Sequence, residues 1–132
     1  MESTPENAAP KERNGIVTAW LLLLLLGNLF VALIYLVGGD GRPFLAPEET
    51  QYILFILLGA LSLANAYFTI LMVGWKKSGF WGFVITTMIA LIVNISIGVP
   101  IGRALIGLFG IAILYIILQF PKNNVSAWEN LE

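Results

Sequence analysis

The sequence predicts an all-α, polytopic membrane protein whose four transmembrane helices form an up-down bundle. Three observations carry that prediction. Hydrophobic residues fill 58% of the 132 positions and charged residues only 11%, against roughly a quarter charged in ordinary soluble domains. The charges leave four uncharged runs, residues 14–39, 50–75, 78–102 and 104–121, of 26, 26, 25 and 18 residues. Runs of this length meet or approach the roughly 20 apolar residues that cross a hydrocarbon core about 30 Å thick at about 1.5 Å per residue. What remains is too small and scattered for a second core. The organisation expected is therefore a disordered leader, 1–14, a transmembrane domain, 15–121, and a short tail, 122–132.

The first span covers about 16–37 and ends at Gly38-Gly39-Asp40-Gly41-Arg42-Pro43, whose turn residues stop a helix. Its long apolar stretch, a leader with three Glu and the lack of a small-x-small site afterwards read as a retained anchor rather than a cleaved signal peptide. The second span, about 47–75, opens with Pro47 at a first helical position, and Glu48 and Glu49 lie on the positive end of its dipole. Lys76-Lys77-Ser78-Gly79 reads as a tight hairpin, with both lysines near the carbonyl end of the second helix. The third span follows over about 79–97. A single helix from Ser78 to Pro121 would be about twice the bilayer, so the chain must turn at Gly98-Val-Pro-Ile-Gly102, where Pro100 stands between two glycines. The fourth span, about 103–120, is the shortest. In the tail, Ser126-Ala-Trp-Glu129 matches a capping box and competes with a frayed end.

Four spans put both termini on one side. Lys11, Arg13, Lys76, Lys77 and Lys122 then share a side, against Arg42 and Arg103 on the other. Excess basic residues mark the cytoplasmic side, so both termini are expected there. Trp20, Trp75, Trp81 and Trp128 fall at that same level, with Tyr35 and Tyr52 opposite, as interfacial aromatic belts require.

No span carries a charge in its interior, which leaves proton relays and carboxylate ion sites nothing to be built from. Asn28 and Asn65 lie near mid-depth and Asn94 toward the outer end of its span, accompanied by Ser62, Thr69, Thr86, Thr87 and Ser96. Amides in hydrocarbon need partners, so the three Asn are read as packing groups facing the bundle, with a polar solute path as the alternative. Small residues at four-residue spacing, Ala60/Ala64 and Ser62/Ala66, and the pair Gly107 and Gly110, define thin helix faces that admit a neighbouring backbone. Ala60, Ala64, Gly107 and Gly110 are the candidate docking residues for a partner, with packing inside the monomer as the alternative. Lys76, Lys77 and Arg103 are candidates for lipid headgroups; orientation alone or snorkelling also explains them, and Arg103 can also reach Glu48 or Glu49.

The chain has no Cys and no His, which excludes thiolate metal sites, disulfides, imidazole bases and His-ligated haem, and its net charge of −1 gives no case for nucleic acid. No phosphate-binding Gly loop or nucleophile elbow is present, and no cofactor is expected. At Gly74-Trp-Lys-Lys-Ser-Gly-Phe-Trp-Gly-Phe, Val-Asn-Ile-Ser-Ile-Gly, Gly-Leu-Phe-Gly-Ile-Ala-Ile-Leu-Tyr and Ser-Ala-Trp-Glu, over roughly its C-terminal half, the sequence resembles small four-span bacterial inner-membrane proteins of unknown function. The resemblance implies a bacterial inner-membrane location and a four-helix membrane domain, and brings no substrate, cofactor or catalytic residue. Some relatives carry a cytosolic module such as a zinc ribbon, which a chain without Cys cannot build.

By subtraction, the expected function is a non-enzymatic accessory or structural membrane subunit that packs against another membrane protein or a second copy of itself in the lipid bilayer. The alternative is a small oligomeric transporter or channel for a neutral polar solute. An intramembrane enzyme ranks third: its carboxylates, Asp40, Glu48 and Glu49, fall in one outer loop where two adjacent Glu more simply start a helix.

Overall fold

The computed structural model describes residues 10–37 and 49–132, with only the backbone of residues 49–52. The leader up to residue 9, the Gly38–Pro43 turn, the helix start at Pro47 and Glu48 lie outside the described residues, as does the side chain of Glu49. Helices α1 (Gly15–Val37), α2 (Glu49–Val73), α3 (Lys77–Ser96), α4 (Ile101–Ala104) and α5 (Ile106–Leu118) are followed by strands β1 (Pro121–Lys122) and β2 (Val125–Ser126) and a last turn, α6 (Ala127–Asn130). Among the described residues, four segments are long and apolar enough to cross a membrane: α1, α2 from Ile53, α3, and α4 with α5 taken together as Ile101–Leu118. At 18 residues the last would reach about 27 Å, just under one hydrocarbon thickness.

α2 is the centre of the bundle. Its buried positions Leu58, Leu61, Ser62, Asn65, Thr69 and Met72 recur at three- and four-residue spacing, and α1 and α3 pack along it. α5 closes the ring with slighter contacts to α1 and α3. Two separate cores result. Near the termini, Val17, Leu21, Met72, Phe80, Phe83, Leu114, Ile117 and Leu118 join all four spans. At the far end, Leu58, Leu61 and Val93 gather residues of α1, α2 and α3, with Tyr35 stacked on Phe55 at 5.9 Å, and α5 takes no part.

Both short hairpins use one device. At each, a residue in the left-handed region follows the helix and the amides beyond it return to the last turn, the double hydrogen bond of a Schellman motif. After α3 the residue is Gly98 (φ 85), with Val99 N–H donating to Asn94 O at 2.9 Å and Gly98 N–H to Ile95 O at 3.0 Å. After α2 it is Trp75 (φ 64), with Lys76 N–H donating to Leu71 O at 2.8 Å and Trp75 N–H to Met72 O at 3.1 Å. The hairpin therefore occupies Gly74–Lys76, two residues earlier than the sequence suggests, and Lys77 already opens α3. A non-glycine residue pays about 1–2 kcal/mol for that conformation. The Arg13 guanidinium, 3.8 Å from the Trp75 ring centroid, offsets it with a cation–π contact worth about 0.5–2 kcal/mol.

The tail folds over the same end. Pro121 pairs with Ser126 and Lys122 with Val125, and the two loop residues, Asn123 (φ 54) and Asn124 (φ 64), are the left-handed pair that a two-residue hairpin demands. Ser126 then caps α6: its hydroxyl accepts from Glu129 N–H at 3.2 Å while Glu129 Oε2 accepts from Ser126 N–H at 2.9 Å. Ala127 and Leu131 are buried in the terminus-side core, and Glu132 N–H donates to Trp75 O at 2.8 Å. Lys11 pairs with Glu132 at 2.5 Å and Lys122 with Glu12 at 3.5 Å, tying the segment before α1 to the tail.

Candidate functional site

Polar groups inside the bundle lie along the α2–α3 seam. Asn65 is buried, and its Oδ1 accepts from the hydroxyl of Thr86 on α3. Thr86 has a second acceptor in its own helix, Gly82 O at 2.9 Å. Thr69 and Ser62 donate to the carbonyls of Asn65 and Leu58 at 2.8 and 3.0 Å, one turn back along α2. These are short, local bonds that satisfy each hydroxyl without water. Thr87 differs: its hydroxyl is buried and has no partner among the described residues.

Among the described residues, the hydrogen bond of Asn28 stays within its own helix. Its amide donates to Leu24 O of its own helix at 2.7 Å, because a carbonyl one turn back is within reach without any neighbour. Asn94 is half-buried in the last turn of α3, where its backbone carbonyl receives the Val99 amide.

The close approaches between helices involve residues other than the predicted pairs. A Cβ on Gly79 would lie 2.4 Å from Phe68 O and 2.8 Å from Met72 N, so the backbones of α2 and α3 nearly touch there. One turn on, Gly82 receives the Phe68 ring, and Gly59 receives Leu36 and Tyr35 of α1. Of the predicted pairs, Ser62 and Ala66 are buried, Ala60 is exposed and Ala64 half-buried. Gly107 faces the Thr87 methyl, 3.2 Å from where a Cβ would sit. Gly110 has open space around it among the described residues, beside exposed Ile106 and Phe109.

At the terminus-side end the cation that caps α2 is Arg13, not Lys76 or Lys77. Its guanidinium donates to Val73 O at 2.8 Å and to Met72 O at 3.2 Å in the last turn, the latter shared with the Trp75 N–H. Partial burial lowers its pKa from the ordinary arginine range and leaves it a cation. Lys77 is displaced to the first turn of α3, where its ammonium lies 4.8 Å from the Trp128 ring centroid. The Glu132 carboxyl is held below its ordinary range by its hydrogen bond to Lys11 and the charge of that same lysine. Arg103 is exposed on α4. No group of three or more acidic or other metal-ligating side chains gathers among the described residues.

No protein-family model, curated protein or solved structure matches this chain. Its chemistry is therefore read from its own side chains. The residues missed by sequence reasoning are Gly59, Gly79 and Gly82, the last two carrying a signal in the Gly79-Phe-Trp-Gly82 spacing hidden beside a turn, and Thr86, visible only once α2 and α3 are in register.

Proposed function

We propose that this protein is a non-enzymatic accessory subunit of the bacterial inner membrane that packs against another membrane protein. The observation that carries the reading is the thin, exposed face of its fourth span, a helix that takes no part in the far core. α5 joins the terminus-side core through Leu114, Ile117 and Leu118, while Ile106 and Phe109 are 64% and 67% exposed and Gly110 leaves a thin face open. Small residues let a second helix approach closely where lipid offers no hydrophobic drive, so this half-span can take a partner helix at little cost. The polar seam supports the same reading, since the Ser62, Thr69 and Thr86 hydroxyls donate to the Asn65 side chain or to backbone carbonyls of their own helices.

Ala60, exposed on α2, provides a second small-residue face. Mild-detergent purification of a tagged copy from native membranes, followed by mass spectrometry, tests the proposal. A stoichiometric membrane protein should accompany the wild type and be lost from Gly110→Leu or Ala60→Leu, while the variant monomer accumulates normally. The alternative, an oligomeric transporter or channel for a neutral polar solute, draws on the unpartnered Thr87 hydroxyl. It takes over if no partner accompanies the wild type and reconstituted protein conducts a solute.

A further inference from the structure

Beyond the accessory reading, and independent of it, the surface between α3 and α5 carries a built groove of about 450 Å³. Phe80 and Tyr115 form its walls, Val84 and Ile111 its deep end, and the small side chain of Ala112 leaves the gap open. Trp128 of the tail closes the end nearest the termini, edge-on to Phe80 at 5.0 Å and to Tyr115 at 5.2 Å. α3 starts at Lys77, so Phe80 and Val84 lie about 5 and 10 Å into the span, and the groove runs from the interface into the hydrocarbon.

Cationic groups stand at the interface end alone. The Lys77 ammonium lies over the outer wall, 4.8 Å from the Trp128 ring centroid, and is in neither of the two ion pairs found among the described residues. Lys77 also opens α3, but its backbone N–H already donates to Glu132 O at 2.7 Å, so the ammonium, and not the helix end, carries the attraction for an anion.

We propose that the groove holds one acyl chain of an anionic phospholipid whose phosphate sits on Lys77 at the start of α3. An apolar groove whose lining reaches about 10 Å along α3 from its start, with a cation at its interfacial mouth, matches a molecule whose negative head and apolar tail come in that order. The aromatic lining gives the chain a rigid wall, and Trp128 holds its tip where head and tail meet. A lysine near an anionic membrane surface contributes about 1 kcal/mol, or about fivefold in preference over a zwitterionic lipid.

Tryptophan quenching tests this on the full chain reconstituted in phosphatidylcholine bilayers that contain either brominated phosphatidylglycerol or brominated phosphatidylcholine. The Trp128 signal is taken by difference from Trp128→Phe. Brominated phosphatidylglycerol should quench Trp128 at about one fifth the mole fraction. Lys77→Gln should bring the two lipids to parity, whereas Lys122→Gln, whose ammonium is paired with Glu12, should keep the preference. Ala112→Phe should reduce quenching by both. Equal quenching in the wild type, a preference that survives Lys77→Gln, or full quenching in Ala112→Phe each overturns the proposal. Quenching by neither lipid does so too, because a second copy or another protein segment then fills the groove.

Discussion

Gly79→Ala is the substitution for which the structure makes the sharpest forecast. The added Cβ would stand 2.4 Å from Phe68 O and 2.8 Å from Met72 N, about 1 Å short of ordinary contact, and both obstacles are backbone. Neither can move unless α2 and α3 separate, which also pulls on the Asn65–Thr86 bond and on Phe80 and Met72 in the terminus-side core. Overpacking costs typically about 1–3 kcal/mol, and an obstacle of rigid backbone puts Gly79→Ala near the upper end, about 3 kcal/mol. Gly82→Ala meets the outer atoms of the Phe68 ring, a side chain that can turn away, and should cost about 1 kcal/mol. Gly110→Ala has free space and should be neutral or gain a few tenths from helix propensity. Equilibrium unfolding in mixed micelles, followed by tryptophan fluorescence, ranks the three. A Gly79→Ala protein as stable as wild type, or a Gly110→Ala protein less stable than Gly82→Ala, would refute the helix packing described here.

Three further outcomes follow from the same geometry. Asn65→Leu should lower stability by only about 1 kcal/mol, because Thr86 keeps the Gly82 carbonyl as acceptor; a loss above about 3 kcal/mol in the same unfolding assay would mean that the seam is a larger network. Glu132 titrates below its ordinary value of 4.5 in the folded chain, so its contribution is present above about pH 4.5 and disappears as pH falls through the depressed value. Trp128 fluorescence should report a tail that loosens in acid, with a smaller response in Glu132→Gln; loosening between pH 7 and 9 instead would reverse the sign. For the cytoplasmic termini proposed from the basic-residue count, an impermeant thiol reagent should label Phe44→Cys in whole cells and Asn124→Cys only after lysis.

The spans were legible because length and charge gaps fix them with nothing but helix rise and bilayer thickness. Boundaries were less so. At the α2–α3 hairpin the sequence points to Lys76–Gly79, since glycine is the usual left-handed residue, but Trp75 takes that conformation under Arg13 and shifts the turn two residues earlier. No local rule anticipates that, because the compensating guanidinium arrives from the far end of the chain. The tail offered two signals, the Ser126–Glu129 capping box and Asn123-Asn124, and only the first was read. Asn65 was recognisable as a buried amide, yet its partner Thr86 depends on helix register. Gly79 was read as a turn residue, which concealed its role as the tightest contact between α2 and α3. Asn28 shows the opposite error, a polar residue assigned to a neighbour when its own helix sufficed.

The open half of the fourth span is where the account meets experiment most directly. A photoreactive benzoylphenylalanine in place of Phe109, 67% exposed beside Gly110, can be compared in native membranes with the same residue in place of Phe30 on α1, equally exposed at 65%. The account predicts a discrete protein adduct from position 109, abolished by Gly110→Leu, and none of the same size from position 30. Irradiation that yields only the monomer and lipid adducts at both positions contradicts it.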